Sequence, residues 1–454
     1  VLVVGGGPAG LAAAIASARE GVNTMLVERY GCFGGNITQA MVGTLSWYRY
    51  ANTIEAGGLM KEIEYKAKEM GGTIYQFDEK IKSTKIGEFL ENKGLLKNGN
   101  PTYEILDTEL FKIIADELIK ESGVTPLLHC HAVDSILDDN TIKGIIIESK
   151  SGRQAIIAKR IIDATGDADI AYRAGAPYRK DEKDKLMSVT TNFSCNGVDT
   201  DKFVNFLIGN MKKKTNFIPY LRQSGELFFM DDFTCFIEPI NKAKREDKTP
   251  ETIPLKDIWR QYADLGTIYS FNGIHIGKID CTDIFDLTKA ELEGRKRVFR
   301  ILNSLRRRTP GFEKARLRTI SSSIGVRESR KIIGEYNINE FDVKNEARFE
   351  DSIGICPEFL DAYGIAIMPT TGRYFHIPYR IILPKKIENL LVAGRCVAGD
   401  KMSHAATRQM VCCITTGQGA GVAAAISIKQ NTTCRDVNIK EVQKVLIKQD
   451  VRIR

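Results

Sequence analysis

The chain has 454 residues, 43% hydrophobic and 27% charged, and carries a net charge of +8 from 65 Lys and Arg against 57 Asp and Glu. That length favours two or three domains, and the composition is that of a globular chain rather than a disordered or membrane-embedded one. The basic runs Lys212–Lys214 and Arg306–Arg308 are short and far apart, which excludes a continuous nucleic-acid stripe and leaves a mild field for collecting an anionic substrate or electron carrier.

In chain order, Val1–Val4 is an apolar run of the kind a strand buried on both faces requires. The chain opens inside this run and shows no signal peptide, so a short N-terminal piece is expected to precede it. Gly5-Gly6-Gly7-Pro8-Ala9-Gly10 follows, then an Ala-rich helical stretch from Leu11 to Arg19 closed by Gly21, then the strand Thr24–Val27 ending at Glu28. This is one βαβ unit with a G-x-G-x-x-G turn, the order expected of a dinucleotide site. Gly5 permits the tight turn, Gly7 lets a diphosphate approach the backbone, Pro8 and Ala9 open the helix, and Gly10 lets helix and strand pack closely. The helix N-terminus offers N–H groups to the phosphates, and Glu28 offers a carboxylate to a ribose. The glycines also interrupt the apolar stretch, so no membrane span is expected here.

After Glu28 the chain reads Arg29-Tyr30-Gly31-Cys32-Phe33-Gly34-Gly35-Asn36-Ile37-Thr38. A glycine pair placed so soon after the acidic residue resembles the second phosphate and isoalloxazine loop of FAD proteins, with Arg29, Gly34, Gly35, Asn36 and Thr38 as cofactor contacts. Residues 45–105, with an apparent helix from Gly58 to Met70, read as an insertion. A helix over 108–122, ended by Gly123, leads into the strand Val124–Leu128, and a small hairpin layer turns at Asp138–Asn140. Lys159-Arg160-Ile161-Ile162-Asp163 then reads as a buried strand running into Ala164-Thr165-Gly166-Asp167, similar to the second FAD fingerprint of the same proteins. Ile387-Glu388-Asn389-Leu390-Leu391-Val392-Ala393-Gly394-Arg395 resembles the late strand and turn of those proteins, and a small-residue helix from Val422 to Ile426 follows Thr416–Gly421.

Together with Gly325–Tyr336 and Ile377-Pro378-Tyr379-Arg380, these segments resemble the FAD-dependent oxidoreductase family, over nearly the whole chain and most weakly over 196–270. The resemblance implies an α/β fold with a discontinuous Rossmann-type FAD-binding domain (1–44, 106–175 and 387–430). Between its pieces lies an inserted α+β substrate or cap domain (176–386), and a C-terminal helical tail (431–454) follows. It also implies distant kinship with fumarate reductase and L-aspartate oxidase flavoproteins. In such a fold Ala132 and Val133 lie against the adenine, and Met410, Val411 and Cys412 supply backbone at the pyrimidine edge of the flavin. No attachment His stands near the first FAD loop, so non-covalent FAD is expected.

No second strand–G-x-G-x-x-G–helix unit is present, which argues against an NAD(P)H domain. The ten Cys contain no C-x-x-C pair, so neither a metal site nor a disulfide framework is expected; reduced thiols in a cytoplasmic protein are the simplest reading. Cys32 lacks a redox partner, and packing is favoured over a bridge for Cys412-Cys413. Catalytic candidates are therefore cationic. By analogy with fumarate reductase relatives, His404 and Arg408 are expected at the flavin, with Arg327 and Arg380 as anion or structural contacts and His376 as a further catalytic candidate. The alternatives are an interdomain ion-pair cluster over Arg327–Arg330 and a structural His376. The expected activity is hydride transfer between a small organic substrate, an anionic one included, and flavin N5. The flavin is then reset by an unknown electron acceptor or donor: oxygen, a quinone or a partner protein. Two other readings stay open, an electron-carrying subunit of a larger redox complex and an NAD(P)H-dependent FAD monooxygenase; so does a homo-oligomer.

Overall fold

The computed structural model describes residues 1–43, 55–75, 104–199, 202–203, 262–263, 267–271, 274–362, 365–367 and 372–454. Most of the 45–105 insertion lies outside the described residues, as does Leu227-Phe228-Phe229-Met230, a run that reads as a short strand of the cap domain.

Five short strands form a parallel sheet: β1 (Leu2–Val4), β2 (Met25–Val27), β3 (Thr125–Leu127), β4 (Ile161–Asp163) and β5 (Leu390–Val392). Their order across the sheet is β5-β4-β1-β2-β3, with β1 centred between Met25–Val27 and Ile161–Asp163 in register. β1, β4 and β5 are buried along their whole length, as continuous apolar runs in a parallel sheet must be. β5 pairs with β4 from over 220 residues away, so this α/β unit is closed by the end of the chain.

The Pro8–Arg19 helix packs against the Leu110–Glu121 and Met410–Lys429 helices. The last begins at Met410, well before the Ala-rich Val422–Ile426 stretch. Glycines disfavour a helix in isolation, but here they allow a close fit. A Cβ on Gly417 would meet the Ala9 carbonyl oxygen at 2.1 Å, and one on Gly421 would meet that of Ala13 at 2.3 Å. The Ser17 hydroxyl donates to the Gly421 carbonyl at 3.0 Å. Among the described residues this helix has the length and hydropathy of a membrane span, yet 94% of its most apolar window is buried within the protein.

An antiparallel sheet of His131–Asp138, Thr141–Ser149 and Gly152–Ile157 joins the central sheet through Ile142, whose N–H donates to the Glu388 carbonyl. The segment between β4 and β5 is mixed. Phe193–Asn196 pairs with Thr267–Phe271 and Arg316–Ile320, and Ser352–Pro357 pairs with Tyr374–Pro378. The 25-residue helix Ile284–Arg308, capped by the Asp283 side chain, packs near Arg316–Ile320 and His275–Ile276. The last described helix, Ile439–Lys448, returns the chain to Gly57, which bridges to Val451.

One pairing corrects the sequence reading. Cys356 and Cys412 form a disulfide with Cα atoms 5.7 Å apart, tying the Ser352–Pro357 strand to the first turn of the Met410–Lys429 helix. The bridge departs from the reduced thiols expected of the ten Cys, because the fold brings two cysteines 56 residues apart into contact. Cys413 stays a free, buried thiol.

Candidate active site

A cavity of about 940 Å³ opens over the β1 turn and runs between the parallel sheet and the mixed segment. Gly5, at φ +99°, starts it. Gly10 is set by packing: a Cβ there would meet the Gly5 carbonyl oxygen at 1.7 Å. Gly7 and Gly35 face each other, and a Cβ on Gly35 would lie 2.8 Å from the Gly7 Cα. This bare backbone trough sits at the first turn of the Pro8–Arg19 helix, with Pro8 and Ala9 on the wall.

Glu28, buried at the end of β2, accepts from the Gly6 N–H at 2.6 Å and the Tyr30 N–H at 2.9 Å, one on each carboxylate oxygen. Each oxygen keeps a lone pair for a further donor. Arg29 lies over the Tyr30 ring, its guanidinium carbon 4.8 Å from the centroid.

The second fingerprint is held from below by Asp163. Its fully buried carboxylate accepts from the Thr165 N–H and hydroxyl and from the Ile170 and Ala171 N–H groups. Burial pushes the pKa of Asp163 up, against the pull of those hydrogen bonds. Above it Ala164, Thr165, Gly166 and Asp167 line the cavity, with Gly394 and Arg395 beside them. Arg395 pairs with Asp167 at 3.0 Å, and Asp167 also accepts from the Ser329 hydroxyl at 2.5 Å. Arg395 Nη1 is buried with no protein partner, a cost that a ligand acceptor removes.

Bare glycine backbone, a helix N-terminus, a doubly anchored carboxylate and an unsatisfied guanidinium N–H fit the diphosphate and sugar hydroxyls of FAD. Gly5, Gly7, Pro8, Ala9, Glu28, Arg29, Gly35, Asn36, Ala132, Ala164, Thr165, Gly166, Asp167, Gly394, Arg395 and Met410 line the cavity. Gly10, Gly34, Thr38, Val133, Val411 and Cys412 lie behind it. Thr38 donates to the Phe33 carbonyl, the Val133 carbonyl accepts from Arg173, and Cys412 is taken up by its disulfide. Met410, Val411 and Cys412 form the first turn of the Met410–Lys429 helix, with Met410 on the cavity wall.

The expected cationic residues divide. Arg327 and Arg408 line the cavity. Arg408, only 10% exposed, pairs with Asp361 at 3.0 Å, and its Nε is buried with no partner. Arg380 is half exposed and tied to Asp351 away from the cavity. His376 is buried, its Nδ1 3.1 Å from the Phe349 N–H. His404 is 1% exposed and sits behind the wall, its Nε2 3.1 Å from the Arg327 carbonyl. A carbonyl only accepts, so Nε2 carries the proton and His404 braces Arg327 rather than facing the cavity. Burial, reinforced by Lys331, pushes its pKa down to about 3.

Composition and motif reading missed His275. It lies at the start of the His275–Ile276 strand, paired with Thr190, and its Nε2 is 3.0 Å from Arg327 Nη2. Guanidinium only donates, so Nε2 accepts and the imidazole is neutral with its proton on Nδ1. Asp361 and Glu291 were missed as well; both line the cavity. Nothing local marks these three, since neither a motif nor a sequence neighbour places them at the site. Among the described residues no group of three or more His, Cys, Asp or Glu is arranged to hold a metal ion.

Known proteins give this arrangement a family. The chain is 25% identical over 216 residues to a digeranylgeranylglycerophospholipid reductase from Picrophilus torridus, covering 46% of this chain and 50% of that one. It is 27% identical over 225 residues to a probable fumarate reductase Ifc3 from Shewanella frigidimarina, covering 43% of this chain and 37% of that one. It thus spans half or less of the length of these curated relatives. A solved geranylgeranyl bacteriochlorophyll reductase-like protein from Thermoplasma acidophilum aligns over 100% of this chain and 84% of its own, at 14% identity and a TM-score of 0.43. The sequence profile of the FAD dependent oxidoreductase family matches residues 1–446, and the chain belongs to that family.

Proposed function

We propose that this enzyme is a dehydrogenase or reductase of a small organic anion, with a hydride passing between a substrate carbon and the flavin. What supports this reading is one observation above all: two guanidinium groups, Arg327 and Arg408, stand on the wall of the FAD cavity, the first hydrogen-bonded to the His275 imidazole at 3.0 Å. When bound, FAD supplies the hydride acceptor or donor at N5. Arg327 and Arg408 then hold the anionic group of the substrate, since a guanidinium fork matches a carboxylate in bidentate fashion. Asp361 keeps Arg408 in place, and His404 fixes the Arg327 backbone from behind. An anion that draws the Arg327 guanidinium away leaves the His275 Nε2 lone pair to take a substrate proton. Phe359, Leu186 and Leu287 on the same wall exclude water from the reacting carbon. In this proposal FAD is held without a covalent link, and an external acceptor or donor resets it.

The test is anaerobic. A panel of hydroxy acids, saturated and unsaturated carboxylic acids and alcohols is added to the FAD-loaded enzyme while the flavin absorbance is followed; for the reductase direction, reoxidation of the chemically reduced enzyme is followed. Bleaching or reoxidation by an organic acid supports the reading. Bleaching by NADPH alone replaces it with a monooxygenase, and inertness to every reagent replaces it with an electron-carrying subunit.

A further inference from the structure

The Ile284–Arg308 helix carries two apolar faces. Ala290, Val298, Ile301, Leu302 and Leu305 are buried on one side. On the other, Phe285, Leu292 and Phe299 are 83%, 62% and 65% exposed. They recur every seven residues, so they form one row about 21 Å long that drifts only about 20° per step around the helix. Large apolar side chains left in water along a single line mark an interaction surface.

The flanks of the row are basic. Lys289 and Lys296 lie about 50° to one side of it and Arg295 about 50° to the other, by the 100° turn per residue. All three are exposed. Arg295 is shared with Glu291 at 3.0 Å, whereas Lys289 and Lys296 have no ion-pair partner among the described residues. A second copy docked antiparallel about Leu292 sets the lysine edges together, Lys289 beside Lys296 of the other copy, like charge on like. A parallel copy sets the lysine edge against the Arg295 edge. An anionic lipid surface answers both features at once, with apolar side chains entering the acyl boundary and lysines meeting the headgroups.

We infer that the Phe285–Leu292–Phe299 row and its flanking lysines seat the enzyme on an anionic membrane surface. The inward side of the same helix contributes Leu287 and Glu291 to the FAD cavity. Docking therefore leaves about one helix diameter, 10–12 Å, between this wall of the cavity and the lipid. This surface stands independently of which anion the cavity takes.

The experiment is cosedimentation of the FAD-loaded full chain with vesicles of pure phosphatidylcholine and of phosphatidylcholine with about one third phosphatidylglycerol, at low and high salt. The protein is expected to pellet with the anionic vesicles only, and to be released by salt. Phe285→Ser/Leu292→Ser/Phe299→Ser stays in the supernatant, and Lys289→Glu/Lys296→Glu partitions at least about tenfold less. Both variants keep wild-type flavin content and melting temperature, which separates lost docking from lost folding. The inference is overturned if wild type ignores both vesicles, or if the triple-Ser variant pellets as well as wild type. Light scattering that shows a wild-type oligomer and a monomeric triple-Ser variant overturns it in favour of a second copy.

Discussion

Arg327 and His275 are 52 residues apart in sequence and meet at 3.0 Å on the wall of the FAD cavity, guanidinium N–H to imidazole Nε2. The pairing holds the imidazole neutral and the guanidinium aimed along the wall, so each residue sets the state of the other. Arg327→Met is expected to weaken binding of the organic anion by about 10- to 150-fold, the worth of a charged hydrogen-bonded contact. Arg327→Lys recovers only part of it, because an ammonium lacks the fork. His275→Asn lowers turnover more than it raises KM. Flavin content stays that of wild type in all three. Steady-state kinetics with whichever acid reacts with the flavin checks each one; an Arg327→Met enzyme with wild-type kcat/KM removes this arginine from the site.

Glu28 holds the Gly6 and Tyr30 amides with its two carboxylate oxygens. In Glu28→Gln one oxygen becomes an NH₂ that faces an N–H. The loss of a charge-assisted bond at about 1.5–3 kcal/mol corresponds to FAD binding weakened about 10- to 150-fold. Titration of the apoprotein with FAD, followed by quenching of flavin fluorescence, measures it. Precipitation of wild type with acid is expected to release all of its flavin, as non-covalent retention requires.

His404 makes stability fall in acid. Its folded pKa, pushed down to about 3 by burial, lies below an unfolded value of about 6.5. Between those values the unfolded chain binds the proton that the folded chain refuses, so stability is full above the unfolded value and drains away as pH falls through that window. His376, lowered in the same direction by burial, adds to the slope. His404→Gln keeps an N–H in reach of the Arg327 carbonyl and cannot titrate. Its melting temperature is expected to fall less than that of wild type between pH 7 and pH 4, with little difference above pH 7. Parallel curves for the two proteins exclude His404 as the titrating group.

The Cys356–Cys412 bridge closes a loop of 56 residues. Its removal in Cys356→Ser/Cys412→Ser is expected to lower stability by about 4 kcal/mol, the loop-closure entropy returned to the unfolded chain. Urea unfolding of the pair against wild type, with and without reductant, reads this. Reductant should shift wild type toward the variant and leave the variant unchanged.

Gly421 sits where a methyl group would meet the Ala13 carbonyl oxygen at 2.3 Å, whereas one on Gly277 meets nothing closer than Ser188 Oγ at 3.4 Å. Gly421→Ala is expected to cost about 1–3 kcal/mol through forced separation of the two helices. Gly277→Ala stays within about 0.5 kcal/mol. Equal melting temperatures for the two variants refute the close-contact account.

What the sequence determined by itself is short-range. A turn such as Gly5–Gly10 or Ala164–Asp167 is dictated by φ angles and backbone clearances that only a few residue types satisfy, so residue order alone exposes it. Glu28 follows from its place at a strand end. These local rules located the dinucleotide cradle, and family likeness named its cofactor. Tertiary structure decided everything set by packing between distant segments. The Gly417–Gly421 run is helical because it presses on the Pro8–Arg19 helix, although its glycines argue against a helix in isolation. Cys412 pairs with Cys356 because the helix start abuts a strand 56 residues away. His404 points into the core and His275 into the cavity for the same reason: a side chain's direction is chosen by which neighbours close over it, and that information is spread along the chain rather than written beside the residue.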